Sequence, residues 1–251
     1  MFNDLKGSIM KKLLVVVLSI VMSISLVACG SSAPSTSETG DEADAPVSQS
    51  GEIKYEVTYT DVYTYAFSEG DYYADIVFAV KNTGDTPFEL TTADCDLEDA
   101  SGNLISLVEF ITGYPGLVNP GETAYFHTSE DLPEGAETLE LVAKPKINPE
   151  KAESDIVTLS TSDVEIASDE YFGMSALGRV ENTSDKDVEF VEVGVVLFNK
   201  EDKPFYILTD IISDPIKAGD KASFEASSLI IDENLKAEDV SRFETFAYSN
   251  F

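Results

Sequence analysis

From Ile53 onward, apolar and polar side chains alternate along the chain with the period of two that is typical of β-strands. The alternation is clearest at two sets of apolar positions, Ile53, Tyr55, Val57 and Tyr59, then Ala74, Ile76, Phe78 and Val80. Strands are therefore predicted over residues 53–59, 62–67, 72–82 and 88–97, separated by turns rich in Gly, Asn, Asp and Ser. Helical periodicity is weak.

The same pattern returns about 100 residues later in the chain. Four pairs of segments match: 80–85 with 180–185 and 97–99 with 197–199 at an offset of 100, 119–122 with 217–220 at 98, and 138–143 with 242–247 at 104. The first pair carries Asn-Thr-(Gly/Ser)-Asp, whose Asn and Asp can close a turn after a strand. The third carries (Pro/Ala)-Gly-(Glu/Asp), where Gly supplies backbone freedom.

An internal repeat of this length predicts two homologous domains. Short strands at this spacing are typical of β-sandwiches. The sequence therefore predicts an all-β fold with two tandem immunoglobulin-like β-sandwich domains, residues 53–148 and 153–251, divided near the Asn-Pro-Glu-Lys segment at 148–151.

The N-terminal region has a different pattern. Lys11 and Lys12 precede residues 13–28, which carry no charge, and a small residue, Ala28, ends the apolar run. A positive start, a short apolar core and a small-residue cleavage site predict a secretory signal peptide over residues 1–28. The run is shorter than the roughly 20 residues of a membrane-spanning helix. Met10 is an alternative start to Met1.

Leu26, Val27, Ala28 and Cys29 at the end of this run resemble a bacterial lipobox, in which the first three residues are read by the signal peptidase. The resemblance implies that Cys29 receives a diacylglyceryl group and becomes the new N-terminus. Two acyl chains hold a protein stably on a membrane without a transmembrane segment. The alternatives are an ordinary signal peptide with a chance Cys or an uncleaved membrane helix.

Residues 29–52 are dominated by Ser, Thr, Gly, Asp and Glu, and Val47 is the largest apolar residue among them. Such a segment cannot bury enough apolar surface to offset its ordering entropy, so a flexible acidic linker is predicted after the lipidated Cys29. The linker places the folded part away from the membrane.

Each repeat also resembles small bacterial immunoglobulin-like lipoprotein modules, especially the FxLYD family, in which a Phe-x-Leu-Tyr-Asp strand follows an Asn-Thr-Ser-like turn. The second repeat matches through Val-Val-Leu-Phe-Asn at 195–199, and the first through Cys-Asp-Leu-Glu-Asp at 95–99, which keeps Leu97 and Asp99. Telokin-like lipoprotein modules are a second resemblance. Both imply extracytoplasmic modules and little about function.

The charge balance narrows the classes of partner. With 16 Lys and Arg against 47 Asp and Glu, the net charge is −31. Nucleic-acid binding is not expected, because phosphates require Lys and Arg. Only two cysteines are present, and lipidation of Cys29 leaves Cys95 alone, so no internal disulfide is expected. Cys95 aligns with Val195 on the face of Ala93 and Leu97, which predicts a core residue.

Candidate catalytic chemistry is sparse. His127 is the one histidine and lies in a predicted strand, where a strand-edge or surface position is expected. One His cannot make a His-rich zinc site, and Gly-x-Ser-x-Gly is absent from the sequence. No catalytic residue, enzyme activity or cofactor is predicted.

Two further clusters are candidates for binding. Asp94, Asp96 and Glu98 alternate on one face beside Asp99, which makes them weak candidates for Ca²⁺, with a solvated sheet face as the alternative. Six of the eleven tyrosines fall between residues 55 and 73: Tyr55, Tyr59, Tyr63, Tyr65, Tyr72 and Tyr73. They predict either a binding surface for a protein or a glycan, or cross-strand pairs within a sheet.

The sequence as a whole predicts a monomeric lipoprotein anchored to the outer face of a cell membrane, with a Gram-positive cell surface favoured. Its expected role is binding or interaction with a protein or an envelope polymer. The alternative role is a structural spacer or an accessory subunit of a membrane or cell-envelope complex.

Overall fold

The computed structural model describes residues 51–152, 156–169, 173–228 and 236–250. They belong to one compact unit of the chain and form an all-β fold of two domains. The predicted signal peptide, Cys29 and the linker up to residue 50 lie outside the described residues.

The first domain contains eight strands, and a short ninth strand follows it. The strands are β1 (Tyr55–Ser68), β2 (Asp71–Asn82), β3 (Phe88–Glu89), β4 (Thr92–Asp99), β5 (Leu104–Tyr114), β6 (Leu117–Val118), β7 (Thr123–Asp131), β8 (Leu141–Lys146) and β9 (Glu150–Lys151). The main sheet has the order β1-β2-β7-β5-β4-β8, and a small sheet has the order β6-β3-β9. Residues 53–67 were predicted as two strands, but β1 is continuous with a bulge between Val57 and Tyr59.

The described residues of the second domain form six strands. They are β10 (Ile156–Asp169), β11 (Gly173–Glu181), β12 (Val191–Phe198), β13 (Pro204–Ile212), β14 (Lys221–Ser227) and β15 (Arg242–Asn250). Their order, β10-β11-β14-β13-β12-β15, matches the first sheet strand for strand. Here β10 also pairs with β15 and closes the sheet into a barrel. The shared order confirms the internal repeat.

Each main sheet folds into two facing halves around an apolar core. In the first domain β5 meets β7 through only two residue pairs, Gly113 with Phe126 and Tyr114 with Tyr125, so the halves β1-β2-β7 and β5-β4-β8 can face each other. Phe78 of β2 and Phe126 of β7, both from the first of these halves, stack in the core with ring centroids 4.6 Å apart. The predicted sandwich-like all-β fold is confirmed.

The repeated Asn turn has the same structure in both domains. Asn82 Nδ2 donates to the backbone oxygens of Thr86 and Val118, both at 2.9 Å, while its Oδ1 accepts from Gly84 N. Asn182 repeats all three bonds, with Lys186 O at 2.7 Å, Ile216 O at 2.9 Å and Ser184 N at 3.1 Å. Both Asn side chains are fully buried, so each amide ties two loops to a strand end.

The second repeated turn also acts as predicted. Gly121 and Gly219 adopt φ of 85° and 80°, a left-handed conformation that favours glycine. Their amides donate to the backbone oxygens of Asn82 and Asn182, so each Gly turn is bonded directly to the Asn turn of its own domain.

One predicted correspondence is wrong. Residues 138–143 were matched with 242–247 at an offset of 104, but Leu97 pairs with Ala143 and Leu197 pairs with Phe243, which fixes the offset of these strands at 100. A shift of four residues keeps every side chain on its own face of a strand, because the side-chain period is two. The apolar pattern alone could therefore not exclude it.

Candidate functional site

The two domains meet through an apolar seam. Its buried residues are Tyr114 from the first domain and Ile156, Val196, Phe198, Ile207 and Tyr248 from the second. Leu117, Tyr125 and Phe246 pack around them. The outward-facing side chains of β12 thus cover the first domain, while Val191, Val193, Val195 and Leu197 of the same strand face the core of the second domain.

The seam explains a difference between the repeats. Positions Asp94, Asp96 and Glu98 of β4 correspond to Gly194, Val196 and Phe198 of β12. The acids are partly exposed on the outer face of β4, whereas Val196 and Phe198 are at most 2% exposed. A strand that is apolar at successive positions, as at 193–198, is typical of a strand buried on both faces, and this signal was missed at the sequence level.

Gly194 permits a close approach of the two domains. A Cβ atom at this position would lie 2.3 Å from the ring of Tyr114. The Tyr114 hydroxyl donates to Glu192 Oε2 at 3.3 Å, and the Tyr248 hydroxyl donates back to Gly113 O at 3.2 Å. Burial, followed by the charge of Glu192, raises the pKa of both phenols, so both remain neutral donors.

A buried polar cluster lies beside the seam. Asp75 is fully buried, and its Oδ1 accepts a hydrogen bond from the Ser129 hydroxyl. His127 Nε2 lies 3.6 Å from the same Oδ1, and the His127 ring packs against Tyr206 of β13 with centroids 4.0 Å apart. The expected strand-edge or surface position for His127 is wrong, because β13 covers β7 and leaves the imidazole only 7% exposed.

This cluster lacks the order of a nucleophilic triad. Such a triad requires the serine to bond the imidazole and the carboxylate to orient it from the other side. Here the Ser129 hydroxyl bonds the carboxylate of Asp75 instead. The arrangement holds a buried carboxylate in place at the domain contact.

The four acidic residues proposed for calcium do not converge on one point. Asp96 pairs with Lys146 Nζ at 2.7 Å, and Asp94 Oδ1 accepts the Phe110 amide at 3.0 Å. Asp99 accepts bonds from both nitrogens of Asn103 and from Ser101 N, and these bonds lower its pKa. Within the described part of the chain, no group of three or more His, Cys, Asp or Glu side chains is arranged to hold a metal ion.

The six tyrosines divide between the two faces of the β1–β2 hairpin. Tyr72 packs on the core, and the hydroxyl of Tyr55 donates to Ile147 O at 3.1 Å. Tyr59, Tyr63, Tyr65 and Tyr73 share the outer face, as their cross-strand register shows. The Tyr59 hydroxyl donates to Asp61, and Lys203 of the second domain lies 5.5 Å from the ring centroid.

Three of these tyrosines and Phe67 form a continuous row of rings, termed here the aromatic ladder (Tyr63, Tyr65, Tyr73 and Phe67). Tyr65 lies 5.9 Å from Tyr63 and from Tyr73, and Tyr73 lies 5.9 Å from Phe67. Tyr65 is buried, whereas Phe67 is 54% exposed. The ladder therefore runs from a packed interior to an exposed phenyl ring near the hairpin turn.

A second candidate site is the interdomain cleft, a cavity of about 350 Å³ where the domains meet. Its lining residues are Pro115, Leu117, Asn119, Glu122, Thr123 and Tyr125 from the first domain, and Thr158, Glu244 and Phe246 from the second. Clefts of this size at domain interfaces are common sites for small ligands.

Cys95 is a core residue, as predicted. It is 1% exposed, and Val195 occupies the matching core position in the second domain. Burial raises the pKa of its thiol to about 11, so the reactive thiolate is scarce at neutral pH.

No protein-family model matches the chain, and no curated protein was found to be similar to it. Across the part of the chain that the structure describes, no helix is long and apolar enough to span a membrane.

Proposed function

We propose that this protein is a lipid-anchored binding protein on the outer face of a bacterial cell membrane, and that the aromatic ladder is its contact surface for a protein or an envelope polymer. The observation that supports the binding role is the exposure of Phe67, a large apolar ring at the end of a row of packed aromatic rings. Aromatic residues are enriched in the buried cores of protein interfaces, because they bury a large area at a low cost in side-chain entropy.

The ladder suits this role because its inner rings are held in place. Tyr65 and Tyr73 face each other across β1 and β2, and their rings stack at 24°. A contact residue whose supporting rings are already ordered loses little conformational freedom on binding. The seam between the domains supports binding over the alternative role as a spacer, because a spacer gains no reach from two domains packed face to face.

A photo-crosslinking experiment on intact cells tests the binding role. Phe67 is replaced by a photoreactive phenylalanine derivative, and Leu177, which is 47% exposed on the second domain, is replaced in the same way as the matched control. We expect one dominant adduct from position 67 and none from position 177. The Tyr73→Ala change should reduce this adduct several-fold, since it removes the ring that supports Phe67. Equal adduct patterns at both positions would argue against the ladder as the contact surface and favour the spacer.

The anchor is tested separately with Cys29→Ala. We expect this variant to leave the membrane fraction or to accumulate unprocessed, because the lipid is attached through the thiol that the change removes. The measurement is fractionation of cells with metabolic labelling by a radioactive fatty acid. Normal signal cleavage with unchanged membrane association would contradict lipidation at Cys29.

A further inference from the structure

The interdomain cleft combines three features that define a ligand class: aromatic walls, acidic rims and a position between two domains. We propose that it binds a small organic cation, a quaternary or protonated amine whose methyl or methylene groups pack against Tyr125 and Phe246. None of its lining residues belongs to the aromatic ladder, so this proposal stands apart from the proposed binding of a larger partner.

The aromatic wall has the geometry to receive a cation. The rings of Tyr125 and Phe246 lie 6.2 Å apart and are inclined by 33°, one from each domain. Tyr125 is fixed from behind by Phe198, whose ring meets it edge to face at 5.5 Å. A cation over such ring faces is attracted by the ring quadrupole, most strongly where water is partly excluded.

The charges around the cleft select a cation over an anion. Among the described residues that line it, Glu122 and Glu244 are the charged ones, and none is Lys or Arg. The Arg242 guanidinium donates a hydrogen bond to Glu244, but it also donates one to Asp202. Its Cζ atom lies 3.5 Å from the ring centroid of Phe198. The net charge of −31 adds a negative field that draws cations toward the protein.

The polar groups of the cleft are held in place by neighbouring residues. Glu122 Oε2 accepts both Asn119 N and Asn119 Nδ2 at 3.0 Å, which fixes the carboxylate at the rim. Burial and the neighbouring Glu244 raise the pKa of Tyr125 to about 12, so its phenol stays neutral. Thr123 and Thr158 provide hydroxyl groups from opposite domains for a polar substituent of the ligand.

Choline and its neutral carbon isostere, 3,3-dimethylbutan-1-ol, test the proposal on the full chain by titration calorimetry. The two probes have nearly the same shape and differ in charge. We expect choline to bind with a Kd near or below about 1 mM. The isostere should bind about tenfold more weakly, because it lacks the attraction to the rings and carboxylates. Equal affinity for both probes, or no choline binding at about 10 mM, would overturn the proposal.

Variants locate the bound probe. Glu122→Gln removes one rim charge while its amide oxygen can still accept from Asn119, and Phe246→Leu removes one ring. Each should weaken choline binding at least about fivefold. Glu225→Gln on β14 removes the same charge outside the cleft and should leave the affinity unchanged. If Glu225→Gln weakens binding as much as Glu122→Gln, choline is responding to net charge alone and the site is refuted. Because Glu122→Gln leaves the seam residues intact, it remains decisive even if Phe246→Leu disturbs the domain contact.

Discussion

Replacing Asn182 with Ala is expected to lower the free energy of unfolding by about 3–5 kcal/mol, which is a large part of the stability of a typical domain. The side chain is fully buried, and its amide bonds Lys186 O and Ile216 O while its oxygen accepts Ser184 N. Truncation leaves buried backbone groups without partners, and each such group costs about 1–3 kcal/mol.

Chemical denaturation of this variant and of three further variants tests the expected loss of stability. Asn82→Ala should cost a similar amount, because it removes the same three bonds in the first domain. Asn182→Asp keeps the volume but loses both donors, so it should be at least as damaging as Ala. Asn103→Ala, at an exposed turn, should cost less than about 1 kcal/mol. A loss below 1 kcal/mol for both buried Asn residues would show that the repeated turn is not a stabilising device.

The repeated turns show what the sequence could predict about the fold. Asn82 and Asn182 recur at an offset of 100 within Asn-Thr-x-Asp, and local turn chemistry is readable because it depends on adjacent residues. The offset of 104 assigned to β15 failed where the only information was apolar alternation, which repeats every two residues. Register depends on the partner strand, and the partner is not encoded nearby in the sequence.

The candidate sites were less predictable, since they depend on contacts between domains. Tyr63, Tyr65 and Tyr73 of the aromatic ladder were predicted as part of a tyrosine cluster, but Phe67 was not predicted. The division of the ladder from Tyr55 and Tyr72 follows from the β1–β2 register. His127 was assigned to a strand edge or the surface because nothing near it in the sequence indicates that β13 covers it. The interdomain cleft draws residues from positions 115 to 246 and has no local signature.

The second large effect is expected for Val196→Asp. This change places in the seam the residue that the first domain carries at its matching position, Asp96. Val196 is fully buried, and burying an unpaired carboxylate costs several kcal/mol. Because Val196 packs in the seam and not in the core of the second domain, the charge can be relieved by separating the domains. We expect two melting transitions in place of one and an increased radius of gyration by small-angle scattering.

The reciprocal change, Asp96→Val, is the matched control, because it gives the first domain the residue that the second domain has at the matching position. Asp96 lies on the outer face of β4, where its partner Lys146 is half exposed, so losing this ion pair should leave a single transition close to that of the parent and keep the domain contact intact. If both changes leave a single transition within a few degrees of the parent, the seam does not couple the domains. If only Val196→Asp splits the transition, the two domains are joined through the difference between the repeats at this position. The outer face of β4 in the first domain is acidic and partly exposed, whereas the matching face of β12 in the second domain is apolar and is covered by the first domain.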